Sequence, residues 1–330
     1  MQKRLDGRNL VNYFLVIDER FMESPETEQT SSQIMIGGVT YDKVLERQRG
    51  VGIYTNSDRS LYLRIGDRGL VSEELSFHRR LVELGFPVAK IVKEGEKGGL
   101  EYWMEESIGD HHASERFRRD VESFGEISSE SFELWLGQVG AMRDAQARTS
   151  EIRTYDFDVL AKAVGEDGME EELPDVREQI HSAWEKAEKR IADLPICLTH
   201  GDFTSHNIME RGVIDFGDHF EGPLGYDLVT AITVPFWFPN HQAYEFFQLY
   251  NFTEKQIEQY LSECRFLKTP TRTFDLNDYF DDLFFLKANW WAVQNHRMPK
   301  LQEWRYKRYR DILERYLAED SLQEYWRRAV

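Results

Sequence analysis

Cysteine is scarce: Cys197 and Cys264 are the only two in 330 residues. No disulfide framework is therefore expected, and a reducing cytoplasm is the simplest setting. Long apolar runs are missing as well. No stretch reaches the roughly 20 apolar residues that a bilayer span requires. The Tyr13–Ile17 stretch is broken by Asp18 and Glu19, which does not fit a secretory leader core. Basic charge is also short. Lys and Arg number 41 against 59 Asp and Glu, a net charge of −18. Such a surface repels nucleic-acid backbones and anionic membranes, so neither is expected as a partner. It tolerates cationic small molecules, although acidity that serves solubility alone gives the same count.

What is present is ample for a buried core. Apolar residues make up 41% and aromatics 13%, which excludes a disordered chain and allows more than one lobe. Residues 1–33 read as an N-terminal extension ending in a polar linker, Met22–Gln33. Residues 34–107 carry mostly β signals: Val39–Leu45, Ile53–Thr55, Ser60–Ile65, Val88–Val92 and Leu100–Glu105. The Asn56–Arg59 loop suits a hairpin, and Glu94–Gly99 a turn. One helix is predicted over Ser72–Leu84, capped by Ser72 and stopped by Gly85 and Pro87. Residues 108–330 turn helical. Phe132, Trp135, Leu136, Val139 and Met142 recur at helical spacing. Asp175 with Glu178 reads as a capping box, and Thr253 with Gln256 as a further helix start signal. Two aromatic-rich helices, about Asp278–Gln294 and Leu301–Leu317, end the chain. No internal repeat appears. The expected fold class is α+β, a small β-rich lobe followed by a larger helical one.

One short segment carries the chemistry. His200-Gly201-Asp202-Phe203-Thr204-Ser205-His206-Asn207 reads H-x-D-x-x-x-x-N, and Ile214-Asp215-Phe216-Gly217 follows closely. Each half alone is weak, but both in this order point to phosphoryl transfer. Asp202 can take the proton of an acceptor hydroxyl. Asn207 and Asp215 offer hard oxygens to magnesium, which suits nucleotide phosphates. Met209–Val213 can turn the chain back and bring Asp215 beside Asn207.

This segment resembles the catalytic loop of the aminoglycoside phosphotransferase family, whose pattern is H-G-D-x-x-x-x-N followed by I-D-F/W. Gly222-Pro223-Leu224-Gly225-Tyr226-Asp227-Leu228 is similar to that family's G-P-x-x-x-D-L segment. The family also includes choline, homoserine, sugar and macrolide kinases. The resemblance implies a bilobal protein-kinase-like fold, ATP or GTP as donor, Mg2+, and a small-molecule hydroxyl acceptor, in a monomer or homodimer. It makes His200 and Asp227 structural supports of the catalytic loop. It makes Gly50 and Gly52 a phosphate-covering loop, although as a sequence feature they serve equally as a turn. Glu74 would be the helix glutamate, paired with a cation on the preceding strand. That cation here is Arg64 rather than the usual lysine, and the two are not interchangeable. Glu105 to Ser107 would be the hinge, with backbone groups there holding the base.

Other readings stay open on sequence. His200, Asp202 and His206 could serve a metal-dependent hydrolase. The departure at Arg64 is what a nucleotide-binding homologue without catalysis would show. A protein kinase is disfavoured by His-Gly-Asp in place of His-Arg-Asp and by the lack of an A-P-E segment. Glu221, Asp275, Asp278, Asp281 and Asp282 could form an anionic pocket for an aminoglycoside or another amine. Trp290 and Trp291 fit the core better than a sugar-stacking platform.

Overall fold

The computed structural model describes residues 32–46, 50–238, 250–293 and 299–329. Most of the expected N-terminal extension lies outside them. The first lobe is one antiparallel sheet of β1 (Gln33–Ile36), β2 (Val39–Glu46), β3 (Gly52–Asn56), β4 (Leu61–Gly66), β5 (Ile91–Lys97) and β6 (Leu100–Glu106). Its strand order is β1-β2-β3-β4-β6-β5. Alternation divides its two faces. Leu63, Ile65, Tyr102 and Met104 pack with Tyr41 and Tyr54 on one side. Trp103 turns to the other, where it meets Val51 and the apolar stripe Val71 and Leu75 of α1 (Arg68–Glu83). Arg64 is paired opposite Trp103 and shares that face.

Two local expectations shift here. Helix α1 begins four residues earlier than predicted, at Arg68, behind the extended residue Asp67. Ser72 therefore lies inside the helix and caps nothing; its hydroxyl bonds to Glu101 across the lobe. Strand β5 starts at Ile91 and continues through the predicted turn to Lys97. Only Gly98 and Gly99 turn, with φ of 60° and 84°, values that glycine adopts without strain.

The second lobe is helical: α2 (Ala113–Phe124), α3 (Ser129–Thr149), α4 (Phe157–Val164), α5 (Glu166–Glu172), α6 (Arg177–Ile191), α7 (Tyr226–Thr233), α8 (Glu254–Cys264), α9 (Phe280–Val293), α10 (Pro299–Leu317) and α11 (Leu322–Ala329). Ser128 caps α3, and all five periodic residues from Phe132 to Met142 are buried. Thr253 and Gln256 form a capping box at the predicted start of α8. The same signal fails at α6. A short 3-10 turn, Pro174–Val176, precedes that helix, and Asp175 instead makes a two-armed pair with Arg310 of α10 at 2.7 and 2.8 Å. The buried face of α6 is the one read from sequence, Ile180, Trp184, Ala187 and Ile191. Helix α9 is buried nearly all round and forms the hub of this lobe, with Trp290 and Trp291 in the core. Helix α11 has no counterpart in the sequence reading.

Of the six short strands described in this lobe, four bear on the site. β7 (Ile196–Thr199) pairs with β10 (Phe220–Pro223), and β8 (Ile208–Met209) pairs with β9 (Gly212–Val213). They anchor the loops described next. The architecture is bilobal α+β, a curled sheet followed by a helix-rich lobe, as in the protein-kinase-like fold. No helix among the described residues is long and apolar enough to cross a membrane.

Candidate active site

The catalytic loop, residues 200–207, leaves the end of β7 and enters β8. Its start is pinned by Asp227, fully buried at the head of α7. Asp227 accepts from the backbone N–H of His200 at 2.6 Å, from that of Gly201 at 3.1 Å, and from the Gln146 amide at 2.6 Å. Gly201 needs its glycine: φ is +81°, and a Cβ would lie 2.1 Å from the Asp218 carbonyl oxygen. His200 is buried, and its Nε2 donates to the Ile214 carbonyl at 2.8 Å. That bond ties the loop to the D-F-G segment.

Asp202 and Asn207 are locked together. The Asn207 amide donates to the Asp202 carbonyl at 2.8 Å and to its carboxylate at 3.2 Å, which leaves the amide oxygen as the group for a cation. The Ile214 N–H donates to the Asn207 carbonyl at 2.9 Å, so Asp215 follows directly beside Asn207. The β8–β9 hairpin makes that return, as the sequence predicts. Asp215 has left-handed backbone, φ 61° and ψ 63°, uncommon for a residue with a Cβ and typical of sites that hold strain for function. Phe216 behind it packs at a tilt against His200 with ring centres 4.5 Å apart and meets Phe77 of α1 at 6.4 Å. The sheet lobe thus rests on the D-F-G segment.

Burial holds the Asp202 carboxyl above the usual range; Lys287 and His200 oppose that shift, and Asp215 adds to it. Asp218 is pushed up to about 8, by burial first and then by Asp202 and Asp215. Lys287 of α9 reaches in from behind the loop. Its ammonium donates to the Gly201 carbonyl at 3.2 Å and lies 3.3 Å from the centre of the Trp290 ring. Burial draws its pKa down to about 8 against the pull of Asp202, Asp227 and Asp218. Neither Asp218 nor Lys287 was assigned a role from sequence. The signal was available: one lysine in an otherwise apolar helix stretch, and one aspartate directly after D-F-G.

On the sheet side, Arg64 lies within electrostatic reach of Asp215 but has an altered partner. It bonds Glu105 of β6, with Nε and Nη2 both 3.1 Å from the same carboxylate oxygen, and its charge lies 5.2 Å over Trp103. Glu74 and Asp215 also bear on it, and its pKa rises on account of Glu105, Glu74 and Asp215 despite the burial. Glu105 therefore contributes a side chain where the hinge reading assigned backbone. The Glu106 N–H donates to the Lys90 carbonyl at 3.0 Å and the Ser107 N–H to the Ser60 carbonyl at 2.8 Å. The Ser107 carbonyl takes the Arg211 guanidinium at 2.8 Å. Gly50 has φ +79° and Gly52 opens β3, but residues 47–49 of that connection lie outside the described residues.

The histidine alternative is not assembled. His200 spends Nε2 on a carbonyl, and His206 turns its Nδ1 to Ser114 at 3.0 Å, beside His112. Among the described residues, no group of three His, Cys, Asp or Glu could hold a metal ion. Of the five acidic residues proposed as a pocket, four have partners within the protein. Asp282 is buried against Arg190 and Tyr316, Asp281 accepts from the Gln323 N–H, Asp275 pairs with Arg265, and Glu221 pairs with Arg153.

A family model described as phosphotransferase enzyme family, APH, matches residues 51–263, well over half the chain. The chain belongs to this family. General small-molecule phosphotransferase activity follows from that membership. Two solved ternary complexes of thermostable mutants of aminoglycoside phosphotransferase APH(4)-Ia share the fold. One holds AMP-PNP and hygromycin B, with TM-score 0.51, and the other ADP and hygromycin B, with TM-score 0.50. Each is 13% identical, over 83% of this chain and 93% of that one. Aminoglycoside-3'-phosphotransferase of type VIII is 20% identical over 68% of this chain and 85% of that one, with TM-score 0.40. No curated protein matches the sequence.

Proposed function

We propose that this phosphotransferase moves the γ-phosphoryl group of ATP or GTP to a hydroxyl of a small molecule bound at the mouth of the interlobe cleft. The observation that carries this reading is the joint placement of Asp202, Asn207 and Asp215 by the Asn207 amide and the Ile214–Asn207 backbone bond.

The donor set fits magnesium. Asp215 and the Asn207 amide oxygen are hard oxygens, and two protein ligands leave room for phosphates and water, the usual arrangement for this ion. Bound there, the ion would offset the charge of the β- and γ-phosphates. Asp202 orients the acceptor hydroxyl and accepts its proton. Arg64, within electrostatic reach of Asp215, supplies positive charge toward the phosphates, with Glu105 and Glu74 steering it.

For the acceptor, Asp275, Asp281, Asp282 and Glu221 each already hold a partner in the protein, which weighs against them as a ready-made site for a polyamine. Of the candidate acceptors, aminoglycoside, related amine or sugar, this favours a neutral hydroxylated molecule such as a sugar. A second reading, nucleotide binding without transfer, draws on the capture of Arg64 by Glu105. Substituting Asp202→Asn separates them. Turnover should fall by roughly two or more orders of magnitude with nucleotide still bound. Full activity in that variant would reject the role of Asp202.

A further inference from the structure

We infer that Lys287 is a positioning residue for phosphoryl transfer, holding the peptide that precedes Asp202 so that its carboxylate keeps its aim. This rests on the transfer reading above.

The geometry runs through one peptide. The Gly201 carbonyl and the Asp202 N–H belong to the same peptide plane. Lys287 holds that plane through the carbonyl, at 3.2 Å. On the other side of Asp202, the next carbonyl accepts from the Thr204 N–H and the Asn207 amide, both at 2.8 Å. Asp202 is thus clamped on both flanks, and α9 supplies the clamp on the N-terminal one. Asp227 fixes the two N–H groups before it but does not touch this carbonyl. The left-handed Gly201 would otherwise be a natural pivot, since glycine rotates with little steric restraint.

The residue type also fits. Lys287 is 2% exposed, and its ammonium rests on the Trp290 face with the Tyr226 ring 5.8 Å away. A cation is rarely buried this deeply without a compensating role. Three carboxylates surround it in charge, Asp202, Asp218 and Asp227, while its direct bond goes to the loop backbone. Helix α9 is otherwise anchored in the lobe core, so the loop is referenced to a deeply buried element of the protein. Small displacements of a catalytic group, about 1 Å, cost on the order of 100-fold in rate.

The test uses the whole protein with water as acceptor: phosphate release from MgATP and MgGTP under single-turnover conditions, with nucleotide affinity read separately from a fluorescent analogue. Lys287→Met keeps the volume and removes the bond, and Lys287→Arg keeps a cation. The expected result is a rate about 10 to 100-fold lower in Lys287→Met, nucleotide affinity within about twofold of wild type, and substantial recovery in Lys287→Arg. A Lys287→Met rate within about threefold of wild type overturns the inference. So does an equal loss of rate and nucleotide affinity with no recovery in Lys287→Arg, which marks a merely structural lysine. Should Lys287→Met not fold, Trp290→Leu, which removes the ring under the ammonium, decides in its place: a lowered rate with kept affinity supports the clamp, and an unchanged rate overturns it. Failure of the underlying reading looks different, because wild type without turnover on water or on any hydroxyl acceptor, or Asp202→Asn as active as wild type, sinks phosphoryl transfer itself and the clamp with it.

Discussion

Removing the Asp227 carboxylate should weaken the fold by an amount that can be worked from its bonds. Asp227→Ala orphans two buried backbone donors, His200 N–H and Gly201 N–H, at about 1–3 kcal/mol each. Gln146 loses one bond but keeps its donation to the Leu198 carbonyl at 3.0 Å. The gross loss is therefore about 2–6 kcal/mol. An opposing effect trims it. Burial holds the Asp227 pKa above the usual carboxylate range, so the ionised group is itself less comfortable in the fold than in water. Its removal relieves that penalty, and the net expectation is about 2–4 kcal/mol. Asp227→Asn keeps one acceptor oxygen and should cost about half as much. Urea unfolding followed by tryptophan fluorescence reads both as midpoint shifts. A change below about 1 kcal/mol for Asp227→Ala, or equal losses for the two variants, would refute the reasoning.

Other consequences follow from the cleft. Arg64→Met leaves Glu105 as a buried carboxylate without its guanidinium partner; it should destabilise the sheet lobe by about 3–5 kcal/mol and lower nucleotide affinity at least about tenfold. Calorimetry and nucleotide titration check the two effects, and an unchanged affinity would remove Arg64 from the phosphate site. Asp218 gives a pH signature. Its folded pKa of about 8 lies above the roughly 3.9 of an unfolded aspartate, so its contribution is fully present below about pH 4 and is lost as pH rises toward 8. The stability of wild type relative to Asp218→Asn should fall between pH 5 and pH 8, and a flat or rising difference in urea midpoints would contradict the burial of that carboxyl.

Local signals were readable where both halves of an interaction lie within one turn. Thr253 and Gln256 close their box from three residues apart and need nothing else. Asp175 and Glu178 present the same pattern, but Arg310 sits 135 residues away and offers a two-armed charged partner that outweighs a cap. Ser72 lost its role in the same way, to Glu101 on a neighbouring strand. In the active site, the Asp202–Asn207–Asp215 arrangement was legible because a short hairpin brings all three together within 14 residues of chain. Lys287 and the Arg64–Glu105 pair were not, because each depends on how a distant element is oriented: α9 behind the loop, and β6 beside β4. Spacing along one strand carries no information about which acid on the next strand a long cation will choose.

The measurement closest to the central claim is magnesium-dependent consumption of ATP and GTP against aminoglycosides, macrolides, choline, homoserine and simple sugars, with Asp202→Asn in parallel. Acceptor-dependent turnover, lost by roughly two or more orders of magnitude in Asp202→Asn while nucleotide binding persists, is the predicted result. Turnover that survives Asp202→Asn unchanged, or nucleotide binding with no transfer to any acceptor or to water, would contradict the account.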